Sequence, residues 1–342
     1  MSASNNTVRT IPCSVGKETF FLETKWVENI ARSEAVQWNE QAEGPQGWIP
    51  NGKSATPVFR LARLLEWPAV AGPFERAILL KTAGVSWGLL VDQVSQVVEI
   101  SSAQFLRLPE LLGETAKRLF AGVVATEQSL ALLLAPETLH PDHTSEGRTT
   151  AARTESVSSG HAAAAKSSQR NGNLVVCNLG NSSLGNGHRL AFGLSTTQVL
   201  EILTPPRLTP VPGAAHYLRG LLRWRNRVVP VLDLSARLGL PRRESTQQAR
   251  LMVIAGTRED APVGLLVPQD IRMLKLPASH QPYSRKLPIP SSFVKGAVEL
   301  EKEILLIPNL RSLLSPACES DDPHPAPPGF PRNPSLAAAA LA

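Results

Sequence analysis

The sequence has no long hydrophobic run, few cysteines and few aromatic residues. Its longest apolar candidate, residues 129–136, has the length of a strand, so we expect no transmembrane helix. Residues 1–9 are polar and no apolar stretch of signal-peptide length follows them, so we expect a cytoplasmic protein. The three cysteines lie far apart without CxxC spacing, which indicates neither a disulfide framework nor a zinc site.

The chain also lacks the groups of residues that enzymes use. Most of its seven histidines fall in predicted loops, linker or tail, away from any nucleophile or carboxylate. There is no P-loop and no GxGxxG after a strand, so nucleotide chemistry is not indicated. The sequence therefore predicts a protein that is not an enzyme, with no catalytic residue, cofactor or metal.

What the sequence does contain is enough aliphatic residues for two domains. A chain of 342 residues suits two domains of ordinary size, and a hydrophobic content of 42% with only 5% aromatics predicts aliphatic cores. Residues 1–140 carry 12 Lys/Arg and 14 Asp/Glu, whereas residues 173–315 carry 18 and 9. The basic second part is expected to meet a negative partner, which charge alone leaves open as an acidic protein surface or nucleic acid.

Two segments have the composition of disordered chain. Residues 141–172 consist of Ser, Thr, Ala, Gly and charged residues with almost no large apolar side chain, so we expect a flexible linker. Residues 316–342 are rich in Pro and Ala, and we expect a disordered tail there. These segments leave two predicted domains, at 8–140 and 173–315.

An internal repeat relates the two predicted domains. In each, a glutamate in an apolar strand (Glu28, Glu201) precedes a glycine (Gly47, Gly220) by 19 residues, and a Pro-Val pair follows the glycine after ten more. A GLLV strand, a second glycine-containing strand and an aliphatic run then follow in the same order. Six landmarks in one order predict two copies of one fold.

Each copy has the pattern of an all-β fold. Short Val/Ile/Leu strands alternate with Gly, Pro and Asn, and one or two short helices interrupt them. Residues 77–100 and 250–267 each contain two strands around a turn, which predicts β-hairpins. Short strands with glycine kinks favour small closed barrels, because closure removes exposed strand edges.

The stretch YLRGLLRWRNRVVPVLDL, from Tyr217 to Leu234, closely resembles the signature of CheW-like domains. That signature combines an aromatic, a basic residue, glycine, apolar residues, Arg-Gly and Pro-Val-x-Asp-Leu at fixed spacing. The rest of 173–315 follows the family's order of strands, and 8–140 follows it more loosely. The resemblance implies that each domain consists of two five-stranded, SH3-like β-barrels with an apolar core between them.

The resemblance also implies a function in signal transduction. It implies a non-enzymatic scaffold that couples the cytoplasmic signalling tips of chemoreceptors to a CheA-type histidine kinase, with other CheW-like proteins as further partners. The chain lacks the ATP-binding and histidine domains that the kinase itself needs. The expected location is the cytoplasm, at membrane-associated receptor arrays and without membrane insertion. The sequence leaves open whether the pathway governs flagella or instead pili, polar placement or gene expression.

A partner-binding site is implied on the second domain. Arg225 lies where the family has its Arg-Gly arginine, and Glu201 lies where the family has the glutamate that pairs with it. The pair would fix the groove in which the receptor tip docks, whereas the alternative is a surface ion pair worth about 0–1 kcal/mol. Trp224 is predicted to anchor the interface, and Val199 and Leu222 would either line the groove or pack into a barrel.

Other residues near this site have predicted roles as well. The arginines at 223, 225 and 227 alternate with other residues, so in one strand they would share a face. Ile202 is predicted to be a core residue. Asn226 stands where the family has glycine, and Asn tolerates the positive φ of a turn. Structural roles in backbone geometry, strand and helix cap are predicted for Gly220, Pro230 and Asp233.

The first copy departs from the signature at these positions. Aligned without gaps, it has Gly52 in place of Arg225, Lys53 in place of Asn226 and Arg60 in place of Asp233. Glu28 is therefore expected to lack its arginine partner, and lysine is a poor replacement at a multidentate site. We expect the first copy to bind a kinase, to pair with another adaptor or to stabilise its neighbour, rather than to bind a receptor in the usual way.

The alternative interpretation is a basic β-barrel that binds nucleic acid. Small barrels with basic strands and an exposed aromatic can bind single strands. However, RNA-binding barrels present several stacking aromatics, whereas here Trp224 stands nearly alone. The sequence therefore favours the adaptor.

Overall fold

The computed structural model describes most of both predicted domains. It covers residues 7–39, 44–52, 54–67, 76–126, 129–140, 173–179, 188–240, 249–256, 261–276, 281–283, 285–301 and 303–316. The predicted linker at 141–172 and nearly all of the predicted tail at 316–342 lie outside these residues. We call residues 7–140 the first half and residues 173–316 the second half.

The described part of the first half consists mainly of strands. Its helices are α1 (Leu61–Leu64), α2 (Gly113–Leu119) and α3 (Pro136–Leu139). Its strands are β1 (Thr7–Val15), β2 (Glu18–Glu23), β3 (Val27–Arg32), β4 (Gln37–Trp38), β5 (Gly47–Asn51), β6 (Ser54–Arg60), β7 (Arg76–Thr82), β8 (Val85–Val91), β9 (Gln93–Val94), β10 (Val98–Ser101), β11 (Phe105–Leu106), β12 (Phe120–Ala125) and β13 (Leu130–Leu134).

The second half repeats this composition. Its helices are α4 (Leu234–Arg237) and α5 (Leu310–Leu313). Its strands are β14 (Asn173–Asn178), β15 (Arg189–Ser195), β16 (Val199–Leu203), β17 (Leu218–Trp224), β18 (Arg227–Asp233), β19 (Ala249–Ile254), β20 (Val263–Pro268), β21 (Ile271–Lys275), β22 (Gln281–Pro282), β23 (Val294–Leu300) and β24 (Glu303–Pro308). Within the described ranges, no helix has the length and apolar character needed to cross a membrane.

Each half folds into two sheets with the same strand order. The terminal sheet, which contains the first and last strands of a half, runs β10-β1-β2-β13-β12-β11 in the first half and β21-β14-β15-β24-β23-β22 in the second. The central sheet runs β3-β7-β8-β6-β5-β4 in the first half and β16-β19-β20-β18-β17 in the second. Every sheet has five strands of four or more residues, and β4, β9, β11 and β22 add two residues each. The predicted all-β fold, with small five-stranded barrels and short helices, is confirmed.

The main core of each half lies between its two sheets. Successive side chains of a strand point to opposite faces, and β2 shows the consequence. Phe20 and Leu22 enter the main core of the first half, whereas Phe21 enters a smaller cluster on the other face of the terminal sheet. In the second half, Leu232 enters the main core and Val231 enters the smaller cluster of the central sheet. The predicted apolar core between the barrels is therefore present in both halves.

The predicted hairpins form at both places in the repeat. In the first half, β7 pairs antiparallel with β8 around Ala83 and Gly84, whose φ angles are 48° and 84°. A two-residue turn with both φ angles positive matches the right-handed twist of the strands it joins. In the second half, β19 pairs antiparallel with β20.

The glycines of the two GLLV strands allow close contact with a neighbouring strand. Gly88 pairs with Val58, and a Cβ added to Gly88 would lie 2.7 Å from Val58 Cγ1. Gly264 pairs with Val231, and its Cβ would lie 2.9 Å from Leu251 Cδ1 and 3.0 Å from Val231 Cγ2. Real carbon atoms do not approach so closely, so only glycine fits without displacement.

We therefore expect Gly264→Ala to lower the free energy of unfolding by about 1–3 kcal/mol, which is typical of an overpacked core. Gly296 on β23 is a matched control, because a Cβ there would meet nothing within 4 Å. Urea unfolding followed by circular dichroism should separate the two variants. Equal midpoints for Gly264→Ala and Gly296→Ala would contradict the close packing at Gly264.

The two halves pack directly against each other. Leu221 on β17 is only 1% exposed and belongs to the main core cluster of the first half. Thr209 Oγ1 donates to the carbonyl oxygen of Leu130 at 2.9 Å, and Arg207 pairs with Glu18 at 3.2 Å. The segment before β17 and β17 itself therefore form a contact surface for the terminal sheet of the first half.

Candidate partner-binding site

The hairpin of β17 and β18 turns at Arg225 and Asn226. Trp224 pairs with Arg227 across the turn, and the φ angles of Arg225 and Asn226 are 44° and 64°. The prediction that the arginines at 223, 225 and 227 share one strand face is wrong, because the chain reverses direction at Arg225. Positive φ is uncommon for arginine, so the turn holds Arg225 in a conformation that needs support from its surroundings.

Glu201 joins the two edge strands of the central sheet. The indole Nε1 of Trp224 donates to Glu201 Oε2 at 2.9 Å, and Arg225 Nη2 donates to the same oxygen at 3.0 Å. The Arg225 guanidinium carbon also lies 4.6 Å from the centre of the Trp224 ring. The structure thus brings the three residues together around one carboxylate.

This cluster is open to solvent on the arginine side. The Arg225 side chain is 67% exposed and that of Glu201 is 34% exposed. An ion pair with this exposure contributes little to folding, with a typical value of about 0–1 kcal/mol. The guanidinium has several N–H donors in a planar fork, so an external acceptor can be bound beside Glu201.

Two exposed aliphatic side chains flank Glu201 on β16. Leu200 is 45% exposed and Ile202 is 43% exposed, so the prediction that Ile202 is a core residue is wrong. Val199 pairs with Ile254 and Glu201 with Val253, which leaves Leu200 as an extra residue in the strand. The sequence VLEIL is apolar on both faces, so its pattern gave no signal for which face is exposed.

The two predicted lining residues pack inward. Val199 is partly buried against the main core of the second half. Leu222 is 8% exposed and packs with Val229 and Val231 inside the central sheet. The partly buried Trp224 rests against the same cluster, so Leu222 supports the ring that faces Arg225.

The residues with predicted structural roles hold the hairpin in place. Gly220 has a φ of 137°, and a Cβ there would lie 2.4 Å from the carbonyl oxygen of Thr209. Pro230 is buried in β18 opposite Leu221. Asp233 Oδ1 accepts a hydrogen bond from Ala236 N at 3.1 Å and so caps α4.

The first half contains the same hairpin without the arginine. Gly47 pairs with Val58 and Asn51 with Ser54, in the register that the gapless alignment predicts. Gly52 occupies the turn position of Arg225 with a φ of 63°. Lys53 lies outside the described residues.

The predicted equivalence of Glu28 and Glu201 is wrong by one residue. The irregularity in β3 lies between Val27 and Asn29, so Asn29 has the register position that Glu201 has in β16. Glu28 contacts two residues that are not arginines: Ser86 Oγ donates to its Oε2 at 3.0 Å, and Lys81 Nζ lies 3.6 Å from its Oε1. The second half has one more residue between this strand and the hairpin, which shifts the alignment.

Both cysteines within the described residues, Cys13 and Cys177, are buried. Burial raises the pKa of the Cys13 thiol to about 12, and burial likewise raises the pKa of Cys177 to about 12. Both are neutral thiols near pH 7, and the thiolate is the nucleophilic form. In the part of the chain that the structure describes, no group of three or more His, Cys, Asp or Glu side chains is arranged to hold a metal ion.

The chain matches a known domain family and known proteins. Residues 10–142 and 174–317 each match the CheW-like domain. The chemotaxis protein CheW of Bacillus subtilis is 40% identical over 76 residues, which cover 22% of this chain and 47% of that protein. CheW of Thermotoga maritima is 30% identical over 87 residues, which cover 25% of this chain and 54% of that protein. CheW of Rhizobium meliloti is 27% identical over 128 residues, which cover 36% of this chain and 79% of that protein.

The chain spans about half the length of the first two of these relatives. The two domain matches, by contrast, account for most of the chain. Their positions coincide with the two halves that share one strand order. The chain therefore belongs to the CheW-like domain family and carries that domain twice.

Proposed function

We propose that this protein is a non-enzymatic adaptor that couples the signalling tips of chemoreceptors to a CheA-type histidine kinase. It would work in the cytoplasm, at membrane-associated receptor arrays, through domains at 8–140 and 173–315. The observation that carries the proposal is the cluster of Glu201, Trp224 and Arg225 in the second half. All three relatives described above are named as chemotaxis proteins, which supports the same function.

The surface around this cluster suits an amphipathic helix. Leu200 and Ile202 on β16 offer exposed aliphatic contacts, and Arg225 offers N–H donors beside Glu201 of the same strand. A helix with an apolar stripe bordered by carboxylate or amide side chains would satisfy both features. Trp and Arg are also the residues most often found where interface energy concentrates.

The first half is proposed to have a different role. Its turn carries Gly52 where the second half has Arg225, and its terminal sheet contacts the second half through Leu130 and Glu18. It therefore lacks the arginine of the proposed receptor site. Binding of the kinase or of another CheW-like protein is assigned to surfaces other than this turn.

The test is direct binding by the full chain, with three purified probes. These are a chemoreceptor cytoplasmic fragment, a CheA-type kinase and a labelled single-stranded RNA. We expect saturable binding to the receptor fragment and to the kinase, measured by titration calorimetry, and weak RNA binding that salt removes. Strong RNA binding without receptor binding would overturn the adaptor and favour the nucleic-acid alternative.

A further inference from the structure

Arg223 connects the first half to the turn that carries Arg225. Its Nη1 donates to the carbonyl oxygen of Thr126 in the first half at 2.5 Å. Its Nη2 donates to Asn226 Oδ1 in the turn at 3.1 Å. One guanidinium therefore bonds to both halves, at a position two residues before Arg225.

The acceptor in the first half, Thr126, directly follows β12 and bonds to Ser129, which directly precedes β13. Thr126 N donates to the carbonyl oxygen of Ser129 at 3.0 Å, and Thr126 Oγ1 donates to the same oxygen at 3.0 Å. Leu221, four residues before Arg225, packs in the main core of the first half and so keeps β17 against the first half. The Thr126 carbonyl is thus fixed where Arg223 can reach it.

Asn226 supplies an acceptor that glycine could not. The turn needs a residue that tolerates a φ of 64°, which both glycine and asparagine do. The CheW-like signature has glycine here, and this chain has the amide that receives Arg223. The departure from the signature therefore creates a bond between the turn and the arginine that contacts the first half.

We propose that the first half positions the Arg225 turn through Arg223. The docked first half fixes Arg223, Arg223 fixes Asn226, and the turn then holds Arg225 against Glu201. A positive φ is unfavourable for arginine, so the surroundings must hold Arg225 in this conformation. The hydrogen bond to the adjacent Asn226 therefore has a substantial effect on how well the turn is ordered. The first half is in this way a built-in regulator of the second half's site. Its effect on partner affinity rests on the proposed function, whereas the ordering of the turn does not.

The experiment compares four variants of the full chain with the unaltered protein. Arg223→Ala removes both bonds, and Asn226→Gly keeps the turn but removes its acceptor. Arg225→Ala removes the partner-contacting side chain. Thr209→Val is the control, because it removes a hydrogen bond between the halves that does not touch the turn. Hydrogen exchange of the Trp224 indole N–H and of the amides at 224–227 is measured by NMR, and receptor-fragment affinity by calorimetry.

We expect exchange in the turn to accelerate about fivefold in Arg223→Ala and in Asn226→Gly, at the low end of usual couplings between sites. Receptor-fragment affinity should fall by a similar factor in these two variants, and Thr209→Val should change neither quantity. Unchanged exchange in Arg223→Ala overturns the proposal. If exchange becomes faster in Arg223→Ala and Asn226→Gly but their affinity is unchanged, the regulatory role is overturned, provided that Arg225→Ala does weaken binding. If Arg225→Ala also leaves binding intact, the proposed receptor site fails, and faster exchange still supports the positioning of the turn.

Discussion

Arg225→Ala is expected to weaken binding of a receptor cytoplasmic fragment by about 30-fold, which corresponds to a hot-spot contribution of about 2 kcal/mol. The side chain is 67% exposed, so its removal should leave the fold intact. The loss arises because the variant keeps Glu201 and the indole but offers a partner no guanidinium. Titration calorimetry gives the affinity, and circular dichroism checks the fold.

Glu201 acts on the partner through Arg225, and its variants should show this. Glu201→Gln keeps an oxygen that can accept from Trp224 Nε1 but removes the charge that holds Arg225. We expect a smaller loss of affinity than in Arg225→Ala. The double variant should bind as weakly as Arg225→Ala alone, because residues that act as one unit are not additive.

Matched controls separate this site from general charge effects. Arg219→Ala also removes one positive charge, from β17, the first strand of the hairpin. It should leave the affinity for the receptor fragment nearly unchanged. Trp224→Phe keeps a ring beneath the guanidinium but removes the N–H that bonds to Glu201, so an intermediate loss is expected. Full affinity in both Arg225→Ala and Glu201→Gln, with the fold retained, would remove the site assignment.

The sequence predicted that both copies share the segment that forms the β17–β18 hairpin and that position 226 lies in a turn, but it did not predict that the chain reverses at Arg225. The spacing from Gly220 to Pro230 matches that from Gly47 to Pro57, and both hairpins have the register that this spacing implies. Turn residues and strand alternation act within a few positions of each other, so one sequence carries both signals. The pairing of Glu201 with Arg225 followed from the family resemblance, and the structure places the two side chains in contact.

The errors in the sequence prediction have identifiable physical causes. The connection from Glu201 to Gly220 is one residue longer than that from Asn29 to Gly47, and a gapless alignment cannot show such an insertion, so it places Glu28 at the position of Glu201. Exposure of Ile202 depends on which neighbours cover it, which a strand that is apolar on both faces does not reveal. The contact of Arg223 with Thr126 joins residues 97 positions apart, across a segment whose composition gives no hint of docking.

Arg237 illustrates a structural residue that the repeat could not predict. It is 7% exposed, and it donates from Nε to the Leu313 carbonyl oxygen at 3.0 Å. Its Nη2 donates to the carbonyl oxygens of Ser312 at 3.3 Å and of Ser315 at 2.6 Å. The gapless alignment places a leucine at the equivalent position of the first half, so no repeated pattern marked this arginine.

The guanidinium of Arg237 also connects the two sheets of the second half. It lies 4.3 Å from the centre of the Tyr217 ring and 4.8 Å from that of Phe293. Tyr217 precedes β17 of the central sheet, and Phe293 precedes β23 of the terminal sheet. The arginine also binds the end of α5, where the last carbonyl groups of a helix have no partners within the helix.

Arg237→Ala is therefore expected to lower the free energy of unfolding by about 3 kcal/mol. A hydrogen bond from a charged donor contributes about 1.5–3 kcal/mol, and the ring contacts add to it when desolvated. Arg237→Lys should recover only part of this loss, because an ammonium cannot match a planar fork that bonds to several carbonyl oxygens and stacks on rings. Arg311→Ala, an exposed arginine on α5, is the matched control and should stay within about 0.5 kcal/mol of the unaltered chain.

Urea unfolding followed by circular dichroism measures these differences, and hydrogen exchange over residues 303–316 locates them. In Arg237→Ala, the amides of Leu313 and Leu314 should lose protection first, since they form the turn of α5 whose end the arginine binds. Protection in β16 to β20 should fall as well, because the same guanidinium contacts Tyr217. Equal midpoints for Arg237→Ala and Arg311→Ala would show that Arg237 does not hold the two sheets together. A loss confined to α5 would reduce its role to that of a helix cap.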